Sequence, residues 1–69
     1  MLKNFSWEKR LELAVLSSSV DELAELADDP HPDIRLTVAL NPNISEEIRA
    51  KLEHDPDLVV RRVARGEWG

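Results

Sequence analysis

Apolar residues along this chain recur at intervals of three and four rather than alternating, in five short stretches separated by polar or proline-bearing breaks. That period is the signature of amphipathic helices, and no strand is required anywhere. In the first stretch Trp7, Leu11, Ala14 and Val15 share a face, with Leu13 and Leu16 widening it, until the serines at 17 to 19 end it. Val20, Leu23, Ala24 and Ala27 make the second stripe, Ile34, Val38 and Ala39 the third, and Ile44, Ile48 and Leu52 the fourth. The fifth, from about Asp57 to Arg65, gathers Leu58, Val59, Val60, Val63 and Ala64.

The breaks are helix starts and stops. Ser19 followed by Glu22 has capping-box spacing, the hydroxyl accepting from the third helical N–H while the carboxylate reaches back. Pro32 suits the first position of the third helix, where a missing N–H costs nothing. Asn41 tolerates a left-handed cap ahead of Pro42, which cannot continue a helix. The fourth helix is predicted from about Ile44 to Glu53, with Glu46 and Glu47 in the dipole-favoured first turn, and Gly66 is placed to cap the fifth.

These stretches are copies of one another. Laying residues 10 to 30 over 35 to 56 places Arg10 on Arg35, Leu11 on Leu36, Leu13 on Val38, Ala14 on Ala39, Leu23 on Ile48, and Asp29-Pro30 on Asp55-Pro56. The offset is 25 to 26 residues. A third copy opens after Pro56, with Val63-Ala64 answering Val38-Ala39, and is partial. The expectation is one helical-repeat domain over 1–69, with repeats at about 6–30, 31–56 and 57–69. Helices of roughly 8 to 12 residues are marginal alone, so stacking must hold them, each pair burying a face it cannot bury by itself.

Size and charge narrow the function classes. A chain of 69 residues buries only about 60% of its unfolded surface and has a thin core. The absence of cysteine removes disulfides, thiolate metal sites and thiol nucleophiles, making cytoplasm the default expectation. No apolar run approaches the length that spans a bilayer, and the start does not read as a signal peptide, so a complete soluble chain is expected. The net charge of −5 lies in residues 1 to 34, which hold three basic and eight acidic side chains, whereas 35 to 69 hold six of each. That balance argues against general nucleic-acid affinity, which rests on Lys and Arg neutralising phosphates.

The phrase DPHPDIRLTVALNPNISEEIRAKLEHDPDLVVRRVA, residues 29 to 64, resembles the leucine-rich repeat variant family and, more loosely, HEAT-like α-solenoids. It shows the Asp-Pro, Ile-Arg, Val-Ala, Asn-Pro and Leu spacing of such a unit before the next Asp-Pro. The resemblance implies an all-α fold: a short right-handed solenoid of about two and a half stacked helical hairpins, some helices being 3₁₀. It implies an interaction module rather than an enzyme. It also implies that Arg35 is a structural tie between repeats, with Asp29, Asp33 and Asp55 as available partners. The iron–sulfur cluster that some relatives carry needs cysteines, which this chain lacks.

Candidate chemistry is sparse. His31 reads as a cap and His54 as a turn residue, neither with a converging ligand set. Ser17, Ser18 and Ser19 have no partnered base, and carboxylates at 21, 22, 25, 28 and 29 make an acidic face open to a basic partner. No catalytic, metal or cofactor site is predicted. Arg61, Arg62 and Arg65 fall within about one helical turn and are the candidate contacts for a partner or for nucleic acid, three cations giving only weak, salt-dependent binding. Leu58, Val59, Val63 and Trp68 at the unfinished repeat are the candidate surface for a homodimer. The function expected is a non-enzymatic protein-interaction or scaffold module with an unidentified protein partner, weak nucleic-acid binding through the arginines being the alternative.

Overall fold

The structure, a computed structural model, describes residues 2–67. A 3₁₀ turn, Leu2–Asn4, precedes five α-helices: α1 Trp7–Leu16, α2 Val20–Leu26, α3 Pro32–Leu40, α4 Glu46–Leu52 and α5 Leu58–Ala64. No strand occurs among the described residues. The expected all-helical repeat fold is therefore observed, with the 3₁₀ turn added ahead of the first helix.

Local sequence explains each start. Ser6, Ser19, His31, Ser45 and Asp57 are the N-caps, every one accepting a backbone N–H two or three residues on through its side chain. The Ser19 box is closed differently from expectation. Glu22 N donates to Ser19 Oγ at 3.2 Å, but the Glu22 carboxylate stops at the Ser17 hydroxyl, which donates to it at 2.6 Å and accepts from Ser19 N. Helix α4 starts at Glu46 rather than Ile44, because Ser45 takes the cap and leaves Ile44 packed on the core from the preceding turn. At the end of α5, Gly66 has φ +77°, Glu67 N returns to Arg62 O and Gly66 N to Val63 O, a Schellman closure at the predicted glycine.

Helices α1, α3 and α5 lie in one row, α1 against α3 and α3 against α5, while α2 packs on α1 and α3, and α4 on α3 and α5. The stack measures 30 × 19 × 19 Å. Its core is Leu23, Leu26, Ile34, Val38, Leu52 and Val60, all fully buried, each removing on the order of 1.5–3 kcal/mol of apolar surface from water. Helices of 7 to 10 residues would not persist without that burial.

Burial at equivalent positions shows which side of each row helix meets its neighbour. Lys9 is exposed where Ile34 and Val60 are buried, so this side faces the preceding repeat. Ala14 and Ala39 are buried where Arg65 is exposed, so that side faces the following one. The pairings place Ile34 on Val60, Arg35 on Arg61 and Val38 on Ala64, an offset of 26. The third copy is thus slipped by one residue at Val63, Ala64 taking the place of Val38. Val15 and Leu16 also depart from expectation, standing 54% and 71% exposed, as do Val20 and Ala24, because α1 and α2 are covered on one side only.

Candidate functional site

Two polar devices join successive repeats, one at each end of the row helices. At the first, Arg35 Nε donates to Asp55 Oδ2 at 2.8 Å and Arg35 Nη2 to Asp55 Oδ1 at 3.2 Å. Its Nη1 reaches back to the Asp29 carbonyl at 2.8 Å, so one guanidinium spans the turns that close repeats one and two. The Asp29 carboxylate, a candidate partner of Arg35, belongs instead to Arg10, whose Nε donates to Oδ2 at 2.7 Å. The reason is position: Arg10 stands in repeat one as Arg35 stands in repeat two. Asp33 is exposed and faces His31.

The Asp-Pro pairs now have a physical explanation. Asp29 Oδ1 accepts from His31 N and Asp55 Oδ1 from Asp57 N, each at 2.9 Å, so Oδ1 turns the chain into the next N-cap while Oδ2 takes the arginine Nε, Asp55 Oδ1 accepting from Arg35 Nη2 as well. Both aspartates are 6% exposed. Buried charges of this kind need the two-sided satisfaction they receive here.

Asn41 makes the second device, which sequence reading missed. Its backbone is extended (φ −76°, ψ 125°), not left-handed. Its buried amide nitrogen donates to the carbonyls of Ala14 at 3.0 Å, Val15 at 3.3 Å and Ser17 at 3.0 Å, closing the C-terminus of α1 from the following repeat. Its Oδ1 accepts from Asn43 N at 2.7 Å, fixing the Asn-Pro-Asn turn. Alignment gives no signal for it, because Asn41 falls on Leu16 of the first copy and Ser17 on Pro42.

The candidate contact residues separate into engaged and open groups. Arg61 Nη1 donates to the carbonyls of Asp55 at 2.8 Å and Pro56 at 3.1 Å, so it is partly buried rather than projecting with the other two. Arg62 and Arg65 are exposed. Leu58 and Val59 are each 54% exposed, whereas Val63 packs on the core; Trp68 lies outside the described residues. His31 caps α3 through Nδ1 with its ring 5.3 Å from that of Trp7, and His54 sits exposed in the second Asp-Pro turn. No group of three or more metal-ligating side chains converges among the described residues. Of the acidic face, Glu22 is taken by Ser17, Glu25 by Leu2 N and Asp29 by Arg10. Leu2 N donates to Glu25 Oε2 at 2.6 Å and holds this carboxyl below the usual glutamate range.

A groove of about 370 Å³ lies between α2 and α4. Val20, Ala24, Ala27 and Ile48 floor it, Asp21 and Glu47 flank it, and the Lys51–Asp28 ion pair crosses one end. A second, of about 310 Å³, lies between the two Asp-Pro turns and is walled by the Arg35–Asp55 pair itself.

No helix among the described residues is long and apolar enough to cross a membrane. No curated protein and no solved structure matches the chain. One family model does, that of the leucine rich repeat variant, over residues 32–57, the span from Pro32 through Asp57 that holds α3, the Asn-Pro-Asn turn, α4 and the second Asp-Pro turn.

Proposed function

We propose that the chain is a non-enzymatic protein-interaction module, working as one unit in the cytoplasm, and that its partner presents a basic, apolar-edged segment to the α2/α4 groove. The observation that carries this reading is the groove's composition. Two alanines keep its floor low, Val20 is 47% exposed above them, and Asp21 and Glu47 stand at the rims with no ion pair among the described residues. A low apolar floor admits the anchoring side chains that dominate interface energies, and carboxylates at the rim favour cationic neighbours. The arginines and aspartates that could have carried chemistry are engaged in structural ties, Arg10 with Asp29 and Arg35 with Asp55 inside their repeats and Arg35 with the Asp29 carbonyl across them, which supports a structural scaffold over a catalyst.

Nucleic-acid binding has less support. With Arg61 anchored to two carbonyls, Arg62 and Arg65 are the freely exposed cations of the cluster, and two cations neutralise about two phosphates.

The test is capture of binding proteins on the native chain and on Ala24→Arg, which fills the groove at an exposed position. A partner with a basic docking segment, lost on Ala24→Arg while the melting temperature holds, supports the reading. Equal capture by both chains removes the groove as its site.

A further inference from the structure

Arg10, Arg35 and Arg61 stand at one position of the repeat, and each is anchored through the same atom. Nη1 donates at 2.8 Å to the carbonyl of Phe5 in the first, Asp29 in the second and Asp55 in the third. In the first two, Nε then grips an aspartate, Asp29 Oδ2 at 2.7 Å and Asp55 Oδ2 at 2.8 Å. Arg61 is anchored twice, Nη1 also reaching Pro56 O, yet its Nε and Nη2 make no hydrogen bond among the described residues. A guanidinium already fixed at one corner has little rotamer freedom left to lose, and its remaining edge is a planar fork matched to a carboxylate.

The same helix and its cap carry two further cations. The positions occupied by Leu36 and Ala39 in repeat two, which face the following repeat, are Arg62 and Arg65 in repeat three, both exposed. Leu58 and Val59, half exposed, stand at the start of the same helix. A homodimer across this end would bring two such arginine sets together, so a second copy meeting it face to face is disfavoured by like charge.

We propose that the C-terminal end of the stack docks an acidic segment of another protein, an aspartate carboxylate seating on Nε and Nη2 of Arg61 as Asp55 seats on Arg35. Arg62 and Arg65 attract the acidic segment, and Leu58 and Val59 give its apolar neighbours a surface. The site shares with the proposed function the premise that the chain binds protein, and uses a different face of it.

The probe is a synthetic peptide of this chain's own residues 49–58, which carries the Asp55 turn that Arg35 already holds. It is titrated in trans at low salt against the full chain, following the Arg61 side-chain N–H and the backbone amides of α5 by NMR. The expected result is a shift centred on Arg61 and a response to the Asp55→Asn peptide weaker by roughly tenfold or more, the equivalent of one charge-assisted hydrogen bond lost. Arg61→Lys should erase the difference between the two peptides, and Ala24→Arg should leave it intact. Because the decisive comparison lies in the peptide, it stands even if an Arg61 variant fails to fold. Equal responses to both peptides, no movement at Arg61, or a short duplex oligonucleotide moving Arg61 at lower concentration than the peptide would each overturn the proposal. A positive peptide result beside equal capture by the native chain and Ala24→Arg would overturn the groove alone.

Discussion

Replacing Asp55 by alanine tests whether the Arg35–Asp55 pair, which closes repeat two onto its own first helix, holds the stack together. Asp55 accepts Arg35 Nε at 2.8 Å, Arg35 Nη2 at 3.2 Å and Asp57 N at 2.9 Å, with side chains 5% and 14% exposed for the aspartate and arginine. Removing one partner of a pair so withdrawn from solvent leaves a guanidinium without its counter-charge, at a cost of about 3–5 kcal/mol. A domain of this size has a total stability of roughly 3–10 kcal/mol, so the variant should lie at or near the folding threshold. With about 4–8 °C lost per kcal/mol in small domains, melting followed by circular dichroism should fall by at least about 12 °C. Asp28→Ala is the control: its pair with Lys51 has side chains 62% and 54% exposed, and such pairs are worth about 0–1 kcal/mol. If Asp55→Ala melts within about 4 °C of the native chain, or no lower than Asp28→Ala, the tie contributes no more than a surface pair and the reasoning fails.

Asn41→Ala should cost about 1–3 kcal/mol, because the carbonyls of Ala14 and Ser17 lose a buried donor; the check is a lower urea midpoint at unchanged slope. Gly66→Ala should cost about 1–2 kcal/mol from its φ of +77° alone, since an added Cβ would meet nothing within 4 Å, and Gly66→Asn should cost less in the same melt. Glu25 contributes to pH dependence with a definite sign. Its folded carboxyl titrates below the usual value, because Leu2 N donates to the charged form. The resulting stabilisation is present above about pH 4.3, the unperturbed glutamate value, and is lost as pH falls through the lowered folded value. Unfolding titrated from neutral to acid should therefore show a shallower acid limb in Glu25→Gln; identical limbs would contradict it.

Much of the fold was legible because its signals are local. The prolines at 30, 32, 42 and 56, the serine at 19 and the glycine at 66 act within a few residues of themselves, and the helices begin and end close to them. The 25-to-26-residue period came from comparing the chain with itself. What escaped was set across repeats. Val15 and Leu16 have helical spacing, but whether a neighbour covers them depends on which side of α1 meets α3. Asn41 looks like a local cap, and its amide works on carbonyls 24 to 27 residues earlier. The resemblance offers Asp29 to Arg35 as one of three aspartates; its carboxylate pairs instead with Arg10 of its own repeat, 19 residues back, and Arg35 takes its carbonyl.

Those same separations bear on how the chain reaches its fold. The arginine ties close over 19 and 20 residues and the Asn41 clamp over at most 27, so no contact of the polar framework waits for distant segments to meet. Helical domains rich in local contacts fold in microseconds to milliseconds. Helix α3 touches all four other α-helices and carries both Arg35 and Asn41. It is the natural nucleus, and its amides should exchange with solvent only when the whole molecule opens, while α2 and α4 exchange through smaller, independent fluctuations.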